Sequence, residues 1–235
     1  MEFAHKLFSH LFPSRCILCQ KTLNQAIEIC PDCYRSLPHN ESCCPACALP
    51  LPDELRNAVI CGRCVRQAPA FDYAYSLFRY ESSVIGLVHQ LKFGERISHA
   101  RSIGEMLYST LCQSGESPDC LLPVPLHDSR LRQRGFNQSL EISRVIAKKS
   151  GIAVEYDAVV RHRSTSAQTG LDAKQRKKNI KGAFSVINKL DYEHVLIVDD
   201  VMTTGATVNE LARLLKKNGV MRVGVMTIAR APVKA

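Results

Sequence analysis

The chain has 235 residues, 46% of them hydrophobic and 23% charged, with a formal charge of +9 and a pI of about 9.1. That is enough for one domain plus a small module, in the mix of a soluble globular protein, and the positive charge favours acidic partners such as nucleic acid or phosphates. No apolar run approaches the ~18 residues of a membrane span, which excludes a helical membrane-spanning protein.

The chain starts MEFAHKLFSHLF, with apolar residues at Phe3, Ala4, Leu7, Phe8, Leu11 and Phe12. This spacing predicts a short amphipathic helix ending at Pro13. It lacks the continuous apolar core of a secretory signal peptide, so a cytoplasmic protein is expected.

Of 11 cysteines, nine lie between Cys16 and Cys64. In a reducing compartment such clustering argues for metal and against disulfides. Four CxxC pairs stand there: Cys16/Cys19, Cys30/Cys33, Cys44/Cys47 and Cys61/Cys64. Eight thiolates suffice for two tetrahedral zinc sites, and one or two structural zinc ions are expected. Four thiolates on one ion leave no open position, so the role is structural and not catalytic. Two alternatives stay open: Cys43 in place of Cys44, and sequential against crossed pairing of the CxxC units. With few apolar residues between the pairs, the segment depends on metal to fold, at roughly 10–16 kcal/mol per zinc. Cys112 and Cys120 lie apart and are expected to be ordinary thiols.

Beyond Pro69 the pattern alternates. FDYAYSLFRY predicts a strand. SSVIGLVHQLKF predicts a helix with Val84, Leu87, Val88 and Leu91 on one face, and SIGEMLYSTL a second helix. CLLPVPL predicts a short strand, NQSLEISRVIAKKS a helix stopped by Gly151, and AVEYDAVVRH an extended segment. HVLIVDD predicts an apolar strand, TVNELARLLKKNGV a helix ended by Gly219, and RVGVMTIAR a last strand. Apolar strands alternating with helices indicate an α/β domain with a mainly parallel sheet. The chain divides into a cysteine-rich zinc-binding module, 1–68, and an α/β domain, 69–235.

In VLIVDDVMTTGAT two carboxylates, Asp199 and Asp200, end an apolar strand, where ligands of such sheets bind. The following Met202–Thr207 loop enters a helix, so unpaired N–H groups and the helix dipole suit a phosphate. The carboxylates can accept from two vicinal ribose hydroxyls, directly or through Mg²⁺. A 5-phosphorylated ribose satisfies both halves. Between His127 and Lys181 there are 13 Lys/Arg against 5 Asp/Glu, so eight of the nine net charges fall in this stretch. That is the electrostatic footprint of a phosphate or nucleic-acid site.

These residues resemble a known family. V-L-I-V-D-D-V-M-T-T-G-A-T resembles the phosphoribosyl diphosphate (PRPP) motif of type I phosphoribosyltransferases. With the cysteine-rich N-terminus, the chain is similar to the ComF/GntX group of competence-associated proteins over nearly its whole length. Three further stretches match: L-K-F-G at 91–94, P-V-P-L…R-L-R-Q-R-G-F-N-Q at 123–138 and Q-T-G-L…R…N at 168–179.

The resemblance implies a type I phosphoribosyltransferase-like parallel sheet flanked by helices behind a double zinc ribbon. It implies Asp199 and Asp200 on the ribose hydroxyls, and Thr203, Thr204, Gly205, Ala206 and Thr207 around the 5-phosphate, with Mg²⁺ accompanying PRPP. Arg130, Arg132 and Arg134 follow in the pyrophosphate loop, Arg134 being the catalytic candidate beside Asp199 and Asp200. Lys92 is expected to reach a phosphate or to snorkel at its helix end. Residues 161–181 correspond to a mobile loop that closes over the site.

The expected function is PRPP/Mg²⁺ binding with single-stranded DNA on the basic surface, in DNA uptake and natural transformation. Tyr34, Arg35, Arg63 and Arg66 of the zinc module are candidate contributors, and a competence helicase or other DNA-processing proteins are expected partners. The alternative is an active phosphoribosyltransferase acting on an unidentified acceptor. A third reading is a zinc-stabilised scaffold whose PRPP loop is vestigial.

Overall fold

The computed structural model describes residues 14–23, 27–55, 59–93, 98–163 and 179–232. The expected helix at 3–12 and most of the basic loop at 161–181 lie outside the described residues.

Two small ribbons come first. Strands β1 (Ser14–Arg15) and β2 (Thr22–Leu23) pair antiparallel, and helix α1 (Pro31–Ser36) follows. The second ribbon ends in helix α2 (Gly62–Arg66). Each short helix starts immediately after a cysteine, Cys30 or Cys61, in extended conformation.

The α/β part opens with β3 (Tyr73–Arg79), α3 (Ser82–Phe93), α4 (Ser98–Ser114) and β4 (Cys120–Pro123). The arginine stretch, expected as a loop, is largely a helix, α5 (Asp128–Arg134). Its turn is stabilised at both ends: His127 accepts from the Ser129 amide, and Gly135 closes it in the left-handed conformation. Helix α6 (Gln138–Ser150) starts where Asn137 Oδ1 accepts from the amides of Ser139 and Leu140, and it stops at Gly151. The segment expected as one extended stretch splits into β5 (Ala153–Val154) and β6 (Val159–Arg161). The latter pairs antiparallel with β7 (Phe184–Val186), which the sequence reading missed. Strand β8 (His194–Met202), helix α7 (Ala206–Lys217) and strand β9 (Arg222–Arg230) complete the chain.

The main sheet has the order β3-β9-β8-β4-β5 with every pairing parallel. Central β8 buries both faces. Val195 and Ile197 join Val223, Val225, Leu211 and Leu215 in one core, into which residues of the second ribbon also pack. Leu196 and Val198 join Leu87, Leu91, Ile103 and Ile142 in the other, which takes Ile17, Ile29 and Leu37 of the first ribbon. The face expected for α3, Val84, Leu87, Val88 and Leu91, is buried. Helices α4 and α6 meet at Gly104, where a Cβ would lie 2.6 Å from that of Val145.

Both ribbons are tied to the sheet. The amide of Asn40 donates to Leu77 O and that of Arg79 to Pro38 O, and His39 bridges antiparallel to Phe78 on β3.

Candidate functional site

The eight predicted cysteines gather into two tetrads, Cys16/Cys19/Cys30/Cys33 and Cys44/Cys47/Cys61/Cys64, each with its sulfurs within 4.8 Å of one another. The arrangement is sequential, and Cys44, not Cys43, faces the second tetrad. Two approaches, Cys19 to Cys30 and Cys47 to Cys61, are 3.7 Å. That is close to the edge of a tetrahedron with about 2.3 Å zinc–sulfur legs. Amides also point at the sulfurs: Cys30 N to Cys16 Sγ at 3.4 Å and Cys61 N to Cys44 Sγ at 3.3 Å. Burial opposes ionisation of Cys16, but amide donors outweigh it and bring the thiol down to about 6; at Cys61 burial is outweighed by the Cys64 amide and the neighbouring thiols, which leave it at about 7. Donor set, spacing and thiolate character fit structural zinc. Cys112 is exposed and Cys120 buried, and neither belongs to a tetrad.

The second centre of chemistry lies at the carboxyl end of the sheet. Asp199 and Asp200 sit inside β8, two or three residues before its end, with Asp199 opposite Thr227 of β9. Asp200 is buried, and its Oδ2 accepts from Gln138 Nε2 at 2.7 Å. Its Oδ1 meets Lys92 Nζ at 3.1 Å and the Val201 amide at 2.6 Å. Asp199 Oδ1 accepts from the Asp200 amide at 2.9 Å and from Ser139 Oγ at 3.3 Å. Burial, followed by the charge of Asp200, pushes the Asp199 carboxyl up to about 7.

The structure therefore places Lys92, the last helical turn of α3, on the acid pair. Arg134 reaches the same group through Gln138, whose Oε1 accepts from its Nη1. Arg134 and Arg161 each lie close enough to Arg130 and Asp199 to feel their charges, and burial lowers the pKa of both. Arg132 is exposed. Gln138 and Ser139 received no role from the sequence, although Gln138 closes the R-G-F-N-Q stretch. Their position at the first turn of α6 aims both at the strand end.

Past the acids, Thr203 is exposed and Thr204 to Thr207 are partly buried. Gly205, at φ 77°, makes the turn into α7, a backbone position that a side chain would strain. Thr204 Oγ1 accepts from the Ala206 amide at 3.3 Å. Among the described residues, no acceptor takes the amides of Thr203, Thr204 or Gly205.

The other side of this loop meets the second ribbon. Arg230, the last residue of β9, is 1% exposed. It donates to Cys47 O at 3.1 Å, Met202 O at 2.9 Å, Ala231 O at 3.0 Å and also Thr203 O. Arg63 Nη2 donates to Thr204 O at 3.0 Å. A cleft of about 720 Å³ lies here, lined by Arg63, Lys181, Arg213, Arg230 and Phe71 among others. No local pattern singles out Arg230, which only stands at the end of an apolar strand.

Comparison with known proteins agrees with this architecture. A double zinc ribbon domain matches residues 7–65, and a phosphoribosyl transferase domain matches residues 112–235. The DNA utilization protein YhgH of Salmonella typhimurium is 36% identical over 224 residues, covering 93% of this chain and 97% of that one. Its Escherichia coli K12 counterpart is 34% identical over the same span. Competence protein F of Haemophilus influenzae is 32% identical over 234 residues, covering 94% and 99%. Among solved structures, a glutamine PRPP amidotransferase from B. subtilis, complexed with ADP and GMP, aligns with 60% of this chain and 30% of that one. Its TM-score is 0.41 and its identity 18%. These relatives align over nearly the full length of both chains, and this chain carries both the zinc ribbon and the transferase module; the protein belongs to the ComF/GntX family.

Proposed function

We propose that the protein binds PRPP with Mg²⁺ at the end of β8 and single-stranded DNA on its basic surface, and that it acts in DNA uptake and use. The observation that carries this reading is the acid pair Asp199/Asp200 beside a loop with three unclaimed amides. Asp199 and Asp200 hold the ribose hydroxyls, and Thr203, Thr204, Gly205, Ala206 and Thr207 hold the 5-phosphate. Arg134, with Arg130 and Arg161, faces the diphosphate. Lys92 releases Asp200 when the ligand arrives and screens the added negative charge. Asp199 and Asp200 are the residues that would hold magnesium, which would supply positive charge to offset that of the diphosphate. The names of the relatives, a DNA utilization protein and a competence protein, support the DNA half of the reading. Zinc holds 1–68 as a module beside the 69–235 domain.

Calorimetric titration of PRPP and Mg²⁺ into the zinc-loaded protein, with and without a short single-stranded oligonucleotide, tests both halves. Heat of PRPP binding supports the ribose-phosphate site, and its absence refutes it. Oligonucleotide affinity should fall with salt at ~0.7 log units per log unit for each neutralised phosphate. Affinity that ignores salt would remove DNA from the reading. The cluster Arg130, Arg134 and Arg161 also favours a second reading, an active phosphoribosyltransferase, because it could stabilise departing pyrophosphate. Pyrophosphate release from PRPP with a panel of bases distinguishes the two.

A further inference from the structure

We propose that Arg230 and Arg63 are positioning residues that set the peptide planes of the phosphate loop, making the second zinc ribbon a working part of the phosphate site. The inference rests on the ribose-phosphate reading of that loop.

The geometry is carried by three consecutive carbonyls. Arg230 takes those of Met202 and Thr203, and Arg63 takes that of Thr204. In a trans peptide the C=O of one residue and the N–H of the next point in opposite directions, and no cis bond occurs among the described residues. Holding these carbonyls toward the ribbon therefore turns the amides of Thr203, Thr204 and Gly205 away from it. Those are the amides that no acceptor in the described residues takes. Without the two guanidiniums, the carbonyls of Thr203 and Thr204 lose their donors while Met202 O keeps the Ala231 amide at 3.0 Å, so the two planes beyond the strand end are free to rotate.

The arrangement also explains why two cations tolerate each other. Arg63 and Arg230 are near enough to repel, and Arg230 is buried with carbonyls as its hydrogen-bond partners. The compensating charge comes from the second tetrad, whose Cys47 and Cys61 act on Arg230. A divalent ion held by four thiolates keeps a net charge of about −2, which two arginines balance. Arg230 joins the tetrad and the loop in one residue, because its Nε is on Cys47 O while its Nη1 is on Met202 O. A lysine has neither the planar fork nor the number of donors for this.

The test uses the full zinc-loaded chain, Arg63→Ala and Arg230→Lys. Arg63 is exposed, and its loss should leave the fold and both tetrads in place; zinc content checks this. The first readout needs no ligand: the amide ¹H–¹⁵N resonances of Thr203, Thr204 and Gly205. Arg63→Ala should shift and broaden Gly205 most, and Arg230→Lys should move Thr204 most, with Thr203 moving less because the Ala231 amide still holds Met202 O. The second is titration with PRPP/Mg²⁺, ribose 5-phosphate and pyrophosphate. Loss of well-aimed amide donors should weaken the two ligands bearing a 5-phosphate about tenfold, while pyrophosphate binding changes less than about twofold. Loop resonances that stay fixed in both variants overturn the proposal, whatever binds. Equal weakening of pyrophosphate and ribose 5-phosphate overturns it too, because it marks a general loss of positive charge. Loop resonances that move as expected, in a wild-type protein that binds no PRPP, sustain the positioning role and sink the functional reading instead.

Discussion

Replacing Asp199 by Asn should stabilise the protein while weakening its ligand site, and the gain should depend on pH. The carboxyl sits at about 7 instead of the usual 3.8 because burial, and then the charge of Asp200, disfavours its ionised form. Between these values the native state binds more protons than the unfolded one, so stability falls as pH rises from about 4 to about 7. At 1.36 kcal/mol per pH unit the whole rise is worth about 4 kcal/mol. Asp199 is partly exposed, so solvent screens the effect and about half of that is the expected cost at pH 8. Asparagine keeps the shape and cannot ionise. Denaturant unfolding of zinc-loaded, magnesium-free protein should show Asp199→Asn more stable by about 2 kcal/mol at pH 8 and by less than about 1 kcal/mol at pH 5. A difference of the same size at both values, or a variant less stable at pH 8, would refute the account of this carboxylate.

Asp200→Asn should cost PRPP/Mg²⁺ binding at least about tenfold in calorimetry while the fold persists, since Gln138 still reaches the side-chain oxygen; unchanged binding refutes the role of this acid. Cys16→Ser and Cys44→Ser should each lower zinc content from two ions per chain toward one by elemental analysis, and full content in either variant removes that residue from the ligand set. Gly104→Ala should destabilise the protein by about 1–3 kcal/mol through overpacking against Val145, read as a lower denaturant midpoint. A neutral or stabilised variant would show that α4 and α6 can separate at no cost.

The sequence was most legible where one local pattern decides the outcome. The CxxC spacing named all eight tetrad cysteines, because the turn that brings two sulfurs together is itself local. The choice between sequential and crossed pairing depended on how two ribbons fold, and spacing alone left it open. Strands β3, β8 and β9 were readable because burial on both faces leaves an apolar run, and α6 because Asn137 and Gly151 mark its ends. The short elements were not. Strands β6 and β7 are three residues each and exist through pairing across a long sequence gap, which no local periodicity records. Helix α5 was hidden because five of its seven residues are charged or Ser, with a single apolar side chain, Leu131, and so lack a hydrophobic stripe. At the site, Asp199, Asp200 and the 203–207 loop are contiguous and stood out. Gln138, Ser139, Arg161 and Arg230 come from three other elements, and their convergence on β8 and its loop is a property of the sheet order.

The hydrogen bonds between residues 38–40 and strand β3 have a further consequence. In the order β3-β9-β8-β4-β5, β3 is an outer strand, and its seven residues would present unpaired backbone groups along one side. Such edges template pairing with other chains unless something covers them. The zinc-bearing module supplies that cover through Asn40, Pro38 and His39. Metal starvation would thus bare a sticky edge as well as unfold a ribbon. Depleted protein should self-associate through its sheets, so that the availability of zinc sets how much of the protein stays monodisperse.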